Sequence, residues 1–277
     1  MNFSENKIIR IAILDLYEGV ANEGMRCIRE IIQSWSLKNN IQILVEEFEV
    51  RIKKEIPSIH FDLFISSGGP GSPLDSDNTE WEKLFFNWIR SIEEFNKLQT
   101  KENQKQIFFI CHSFQLACKY YEIGNICKRK STAFGVFPIH MLSQATDEII
   151  FEGLKDPFYA VDSRDYQVIE PNHSHIQNIG AKILAIEKSR PHVPFERAVM
   201  AVRFNDNFVG TQIHPEADAI GMAMYLQRPD KKETIIKNHG YEKWENMLTH
   251  LKDPDKIEFT NATILPNFLN QAILCLS

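Results

Sequence analysis

Three side chains of this 277-residue chain have the types and settings for nucleophilic chemistry: Cys111, His214 and Glu216. Cys111 ends the apolar run Ile107-Phe-Phe-Ile and is followed at once by His112-Ser-Phe-Gln115, which continues as a helix over Leu116–Tyr121. A thiol on so sharp a strand-to-helix turn faces the carboxyl edge of a sheet, where open α/β folds bind ligands. The positive end of the helix favours the thiolate, and the amide of His112 is placed to donate to an oxyanion. Simple packing accounts equally well for a strand-end cysteine considered alone. His214 lies in Gly210-Thr-Gln-Ile-His-Pro-Glu216, after the apolar strand Phe208–Ile213. A cysteine nucleophile needs a base, and the base needs a third group to hold its tautomer. Glu216, across a proline that fixes the turn, can orient the imidazole.

A Gly-rich loop, Ser66-Ser-Gly-Gly-Pro-Gly-Ser-Pro73, follows the apolar run Phe61–Ser66. Glycines at 68, 69 and 71 let backbone amides approach a ligand, so the loop can supply a second oxyanion donor; a plain turn explains it as well. No Gly-Lys-Ser/Thr follows, which excludes a Walker-type phosphate loop.

The elements that must position these groups are legible as periodicity. Ile8–Leu14, Ile41–Val45, Phe61–Ser66 and Ile107–Ile110 are strand-like, and Met25–Leu37 and Trp81–Phe95 have the 3.6-residue apolar spacing of helices. Repeated β–α–β units imply an α/β fold with a doubly wound, mainly parallel sheet. Short strands are expected at Ala133–His140, Phe158–Val161, Ile183–Ile186 and Val199–Arg203. From Ala217 the chain is expected to be helical, broken at Pro229, Pro254 and Pro266. The expected organisation is one domain over residues 1–219 and a helical extension, 220–277, packed on it.

A net charge of −6 argues against nucleic acid as a partner, and no apolar run reaches the length of a membrane span. Five cysteines without CxxC or zinc-ligand spacing point to a reducing cytoplasm and to no metal. No cofactor motif stands out.

SGGPGSP, ICHSFQ and QIHPE, in this order, resemble the motifs of class I glutamine amidotransferases over roughly Ile8 to Ala219. The resemblance implies a flavodoxin-like sheet of the class I amidotransferase type. It also implies Cys111 as nucleophile, His214 as base, Glu216 as orienting acid, Gly69 in the oxyanion loop beside Gly71, and Gln115 in the nucleophile motif. Phe134-Gly135 resembles a further family signature. Phe109 and Ser113 stand where the family usually has glycine. The implied reaction is hydrolysis of the side-chain amide of glutamine through a cysteine thioester, with a separate synthase partner for any ammonia made.

Phe134-Gly-Val-Phe137, Leu154–Phe158, Asp162-Ser163-Arg164, Arg228 and Asn267–Asn270 also resemble homoserine O-succinyltransferases. That resemblance implies acyl transfer from acyl-CoA to an amino-acid acceptor, with Arg164 and Arg228 binding a carboxylate. A catalytically silent homologue is the third reading. The tail from Lys231 could cover a cleft, meet a partner or form a homodimer surface.

Overall fold

A strand that is apolar at every position needs cover on both faces, and Ile107–Ile110 is such a strand. The computed structural model describes residues 8–191, 193–253 and 256–276, and places this strand near the middle of a nine-stranded mixed sheet. The first half of the chain runs β1 (Ile9–Asp15), α1 (Gly24–Asn39), β2 (Ile43–Glu49), β3 (Leu63–Ser66), α2 (Glu80–Lys97), β4 (Gln106–Ile110) and α3 (His112–Tyr120). It continues through β5 (Asn125–Met141), β6 (Phe158–Ile169), α4 (His173–Asn178), β7 (Lys182–Glu187), β8 (Val199–Arg203) and β9 (Phe208–Thr211). The C-terminal part is helical: α5 (Ala219–Gln227), α6 (Pro229–His239), α7 (Tyr241–Leu251), α8 (Ile257–Asn261) and α9 (Ile264–Leu276).

The strand order is β2-β1-β3-β4-β9-β8-β7-β5-β6. Pairing is parallel from β2 through β9 and antiparallel beyond it. The pleat sends successive residues to opposite faces. Ile11, Ile13, Phe108 and Ile110 therefore pack beneath α1 and α9, while Ala12, Leu14, Ile107 and Phe109 pack beneath α2 and α3. A third cluster, including Leu226, Trp244 and Met247, joins α5–α7 to Val161 of β6.

Some boundaries differ from the sequence reading. β5 and β6 are much longer than expected, because polar residues such as Asp162, Arg164 and Gln167 are buried within the β6 ladder and hide its pattern. β2 starts later and takes in Glu46, Glu47 and Glu49, charges that an edge strand tolerates. Pro229 begins α6, but Pro266 lies inside the first turn of α9, where its missing N–H costs no helical bond. Pro254 lies outside the described residues.

The last helix belongs to the main core. Ile264, Leu265, Phe268, Leu269 and Ala272 are fully buried, and the Phe268 ring meets Phe108 edge-on at 5.2 Å. Phe268→Ala is therefore expected to cost about 3–5 kcal/mol in chemical denaturation. A loss below about 1 kcal/mol would make α9 an appendage.

Candidate active site

β3, β4 and β9 are adjacent and parallel, so the loops leaving their carboxyl ends share one edge of the sheet. Those loops carry the glycines at 68–71, Cys111 and His214. Register does the placing: Ile110 pairs with Thr211, and the Cys111 amide donates to the Thr211 carbonyl at 2.8 Å. Cys111 has φ 48° and ψ −98°, a conformation a side-chain-bearing residue rarely adopts. The bend turns the chain from strand to helix within one residue and leaves the thiol on the wall of a cleft of about 1120 Å³.

The two glycine departures fit this bend. Ser113 is fully buried; its hydroxyl accepts the Ile110 amide at 2.9 Å, and its single proton faces the Ser66 and Ile110 carbonyls, 2.8 and 3.0 Å away. It thus ties β3, β4 and the elbow together. Phe109 points into the core among Phe85, Phe204 and Phe208, where Gly210 on the neighbouring strand leaves room for it.

Two histidines lie near the thiol, and their surroundings separate them. His112 is buried against Trp81, and burial, aided by Arg51 and Lys119, pushes its pKa down to about 3. It is neutral, and its Nε2 has no hydrogen-bond partner. His214 lies between Glu216 and Cys111, with Nδ1 2.8 Å from Glu216 Oε1. Burial opposes its charge, but the hydrogen bonds and negative charges of Cys111 and Glu216 outweigh that penalty and raise its pKa well above the usual value. An imidazole so held can take and return a proton.

β6 closes the site from the side. Val161 bridges to His214, accepting its amide at 2.9 Å, and the Ser163 carbonyl lies 3.6 Å from Cys111 Sγ. Gln115 donates to the Tyr166 carbonyl (3.2 Å) and to Gln212 Oε1 (2.8 Å), whose own amide reaches Cys111 Sγ at 3.5 Å. Gly69 and Gly71 line the same cleft. A Cβ on Gly69 would sit 2.4 Å from the Leu16 carbonyl, and Gly71 has φ +87°.

The remaining expected residues, Gly135 apart, line the same cleft. Phe134 and Gly135 are on β5, and Gly135 has φ +141°. Arg164 lines the cleft, but its side chain is 1% exposed and bonded to Asp162 (2.9 Å) and Glu187 (3.0 Å). Those acids engage its Nε and Nη2, and its Nη1 is buried without a hydrogen-bond partner. Arg228 lies at the mouth, half-exposed and paired with Asp230 at 3.2 Å.

Sequence reasoning left out Tyr17 and Gln212, and gave Gly68 a place in the Gly-rich loop but not beside His214. Tyr17 follows β1 at the same sheet edge, and burial, then Glu216 and Cys111, keep its phenol protonated by raising its pKa. A Cβ on Gly68 would lie 2.9 Å from His214 Cε1 and 3.5 Å from Cys111 Cβ. Position just past strands ending at this edge is the signal that could have found all three. Among the described residues no group of three or more His, Cys, Asp or Glu could hold a metal ion, and no helix is long and apolar enough to cross a membrane.

The profile of the family Glutamine amidotransferase class-I matches residues 12–228. A glutamine amidotransferase from Thermotoga maritima has a similar structure, at 14% identity and TM-score 0.66, over 96% of this chain and 98% of that one. A glutamine amido transferase from Methylobacillus flagellatus is similar at 16% identity and TM-score 0.65, over 98% and 96%. The glutaminase domain of Trypanosoma brucei CTPS with bound acivicin is similar at 14% identity and TM-score 0.55, over 75% and 86%. No curated protein matches the chain in sequence.

Gly68→Ala should push His214 off the thiol and slow both turnover and Cys111 alkylation by about a hundredfold, read with iodoacetamide and mass spectrometry. Cys27, raised to about 12 by burial and Asp218, will compete little for the reagent. Glu216→Gln removes one of the groups that raise His214. The imidazolium should then be lost at a lower pH than in the parent, measured by NMR titration of the ring. An unmoved titration would take Glu216 out of this role.

Proposed function

The chain belongs to the class-I glutamine amidotransferase family, and from that premise we propose that Cys111, His214 and Glu216 hydrolyse the side-chain amide of glutamine. The observation that carries the reading is the convergence of His214 with Glu216 on one side and Cys111 on the other, at the carboxyl edge of β4 and β9.

His214 takes the Cys111 proton, and the thiolate attacks the amide carbon. The tetrahedral oxyanion receives hydrogen bonds from the amide of Gly69 and from that of His112, which as the first residue of α3 has no intrahelical acceptor. Collapse breaks the C–N bond, and the protonated imidazole gives its proton to the leaving nitrogen, which departs as ammonia. Water, deprotonated by His214, then attacks the thioester, releasing glutamate and restoring the thiol. Glu216 holds the Nδ1 proton of the imidazole throughout, so Nε2 faces the reaction. Ammonia needs an acceptor, and the likeness to the CTPS glutaminase domain supports a synthase partner as its destination.

Purified protein is expected to release glutamate from glutamine, and Cys111→Ala to lower the rate by at least about a thousandfold. A coupled glutamate dehydrogenase assay reads both. Equal rates in parent and variant would refute the assignment of the nucleophile.

A further inference from the structure

The sequence has a single run of three basic residues, Lys128-Arg129-Lys130, and the cysteine chemistry makes no use of it. The run lies on β5 where the ladder to β6 is irregular. Lys128 pairs with Tyr166 and Ala133 with Arg164, which leaves residues 129–132 opposite Asp165 alone. Such an irregularity re-aims side chains out of the regular ladder. Arg129 turns onto Gln167 Oε1 and Glu187 Oε2, at 3.0 and 3.2 Å. The segment between β7 and β8 brings two more guanidinium groups to the same glutamate. Arg190 binds Glu187 Oε1 and lies 3.3 Å from Gln167 Oε1, and Arg197 Nε donates to the Glu187 carbonyl at 2.6 Å. Lys130 meets this segment as well, its ammonium 5.4 Å from the Phe195 ring centre.

Positive charge is left over at this place. Both oxygens of Glu187 are taken, Oε1 by Arg190 and the Ala198 amide, Oε2 by Arg129 and Arg164. Asp162 serves Arg164. Among the described residues no other acid lies at ion-pair distance from Arg129, Lys130, Arg190 or Arg197. Asp165 and Glu196, the acids nearest in sequence, are exposed, and Asp165 accepts the Thr132 hydroxyl. The imbalance appears in the two most buried arginines. At Arg164 the charges of Asp162 and Glu187 outweigh burial and raise the pKa, whereas at Arg129 burial and the Arg164 charge outweigh Glu187 and lower it. Each guanidinium of the outer three is held by one edge and keeps another unused. Arg129 Nη2, Arg190 Nε and Nη1, and both terminal nitrogens of Arg197 have no hydrogen-bond partner among the described residues. None of these nitrogens is sealed from solvent.

We propose that Arg129, Arg190 and Arg197, with Lys130 at the rim, bind the phosphate group of a small phosphorylated molecule. A guanidinium presents its donors in a planar fork that matches phosphate oxygens. Three forks with free edges around an excess of charge suit a dianion with three acceptor oxygens; a carboxylate is satisfied by one fork. The Arg129 and Arg190 side chains are only 7 and 13% exposed and already anchored, so a ligand orders little on binding. The four residues lie on β5 and the β7–β8 segment, outside the lining of the cleft that holds Cys111. The site is independent of the glutaminase reading, and failure of either leaves the other standing.

The test titrates the full-length protein by calorimetry with inorganic phosphate, phenyl phosphate and acetate, at neutral pH and at an ionic strength held constant with sodium chloride. At least one of the two phosphate compounds should bind saturably, and acetate at least about tenfold more weakly. Arg190→Gln should weaken the phosphate compound by about tenfold. Lys130→Glu, at an exposed position, should weaken it by about threefold and decides the matter if the arginine variant does not fold. Tighter binding of phenyl phosphate assigns the site to a phosphate ester, and binding of inorganic phosphate as tight or tighter assigns it to the free ion. Acetate binding as well as phosphate overturns the proposal. So does an affinity unchanged in the folded variants, or no binding of either phosphate compound.

Discussion

The parallel pairing of β4 with β9 sets Ile110 beside Thr211, and the proposed chemistry depends on that register. It lets the Thr211 carbonyl hold the Cys111 amide as the chain bends, and it brings the segment after β9 level with the elbow. A slip of one residue would turn Phe108 and Phe109 to the wrong faces of the sheet and carry His214 away from the thiol. Phe109, Phe204, Phe208 and Phe114 form a continuous aromatic packing that resists such a slip.

Strain and support are matched around the elbow. The positive φ of Cys111 is unfavourable in itself, by roughly 1–3 kcal/mol. Opposing it are the Ser113 hydroxyl in its pocket of backbone groups, the Gln115–Gln212 bridge and the β6 backbone at Val161 and Ser163. β6 in turn is stiffened by Arg164 between Asp162 and Glu187. Buried charges of this kind are costly unless paired, and here the pairing rigidifies the strand that touches both Cys111 and His214.

The C-terminal helices have two physical jobs. α9 completes the core on the α1 side, and the Trp35 indole donates to Asn270 at 2.9 Å across that contact. α5–α7 stand over the cleft and give it depth. They are anchored at the base by Asp218, which caps α5 and receives Arg26 of α1 at 2.9 Å. Asn261 of α8 donates a hydrogen bond to the Glu216 carbonyl, so the helical tail also steadies the backbone that carries Glu216.

The sequence by itself determined the parallel half of the sheet and the three loops that carry the chemistry, because those features are local. An apolar run needs cover on both faces, a cysteine between such a run and a helix must sit on a turn, and histidine–proline–glutamate holds its own geometry. Other features needed the tertiary structure. The length of β5 and β6 was hidden because Asp162, Arg164 and Gln167 look solvent-facing until their partners from β5 and β7 are in place. The sequence reading already gave His214, not His112, as the expected base, and the tertiary structure adds the surroundings of each ring. His112 is buried against Trp81 with its pKa pushed down to about 3, while Cys111 and Glu216 flank His214 and raise its pKa. The depth of the cleft came from helices whose sequence shows periodicity but not where they dock, since docking is set by contacts between residues far apart in the chain, such as Phe134 with Tyr225 and Arg26 with Asp218.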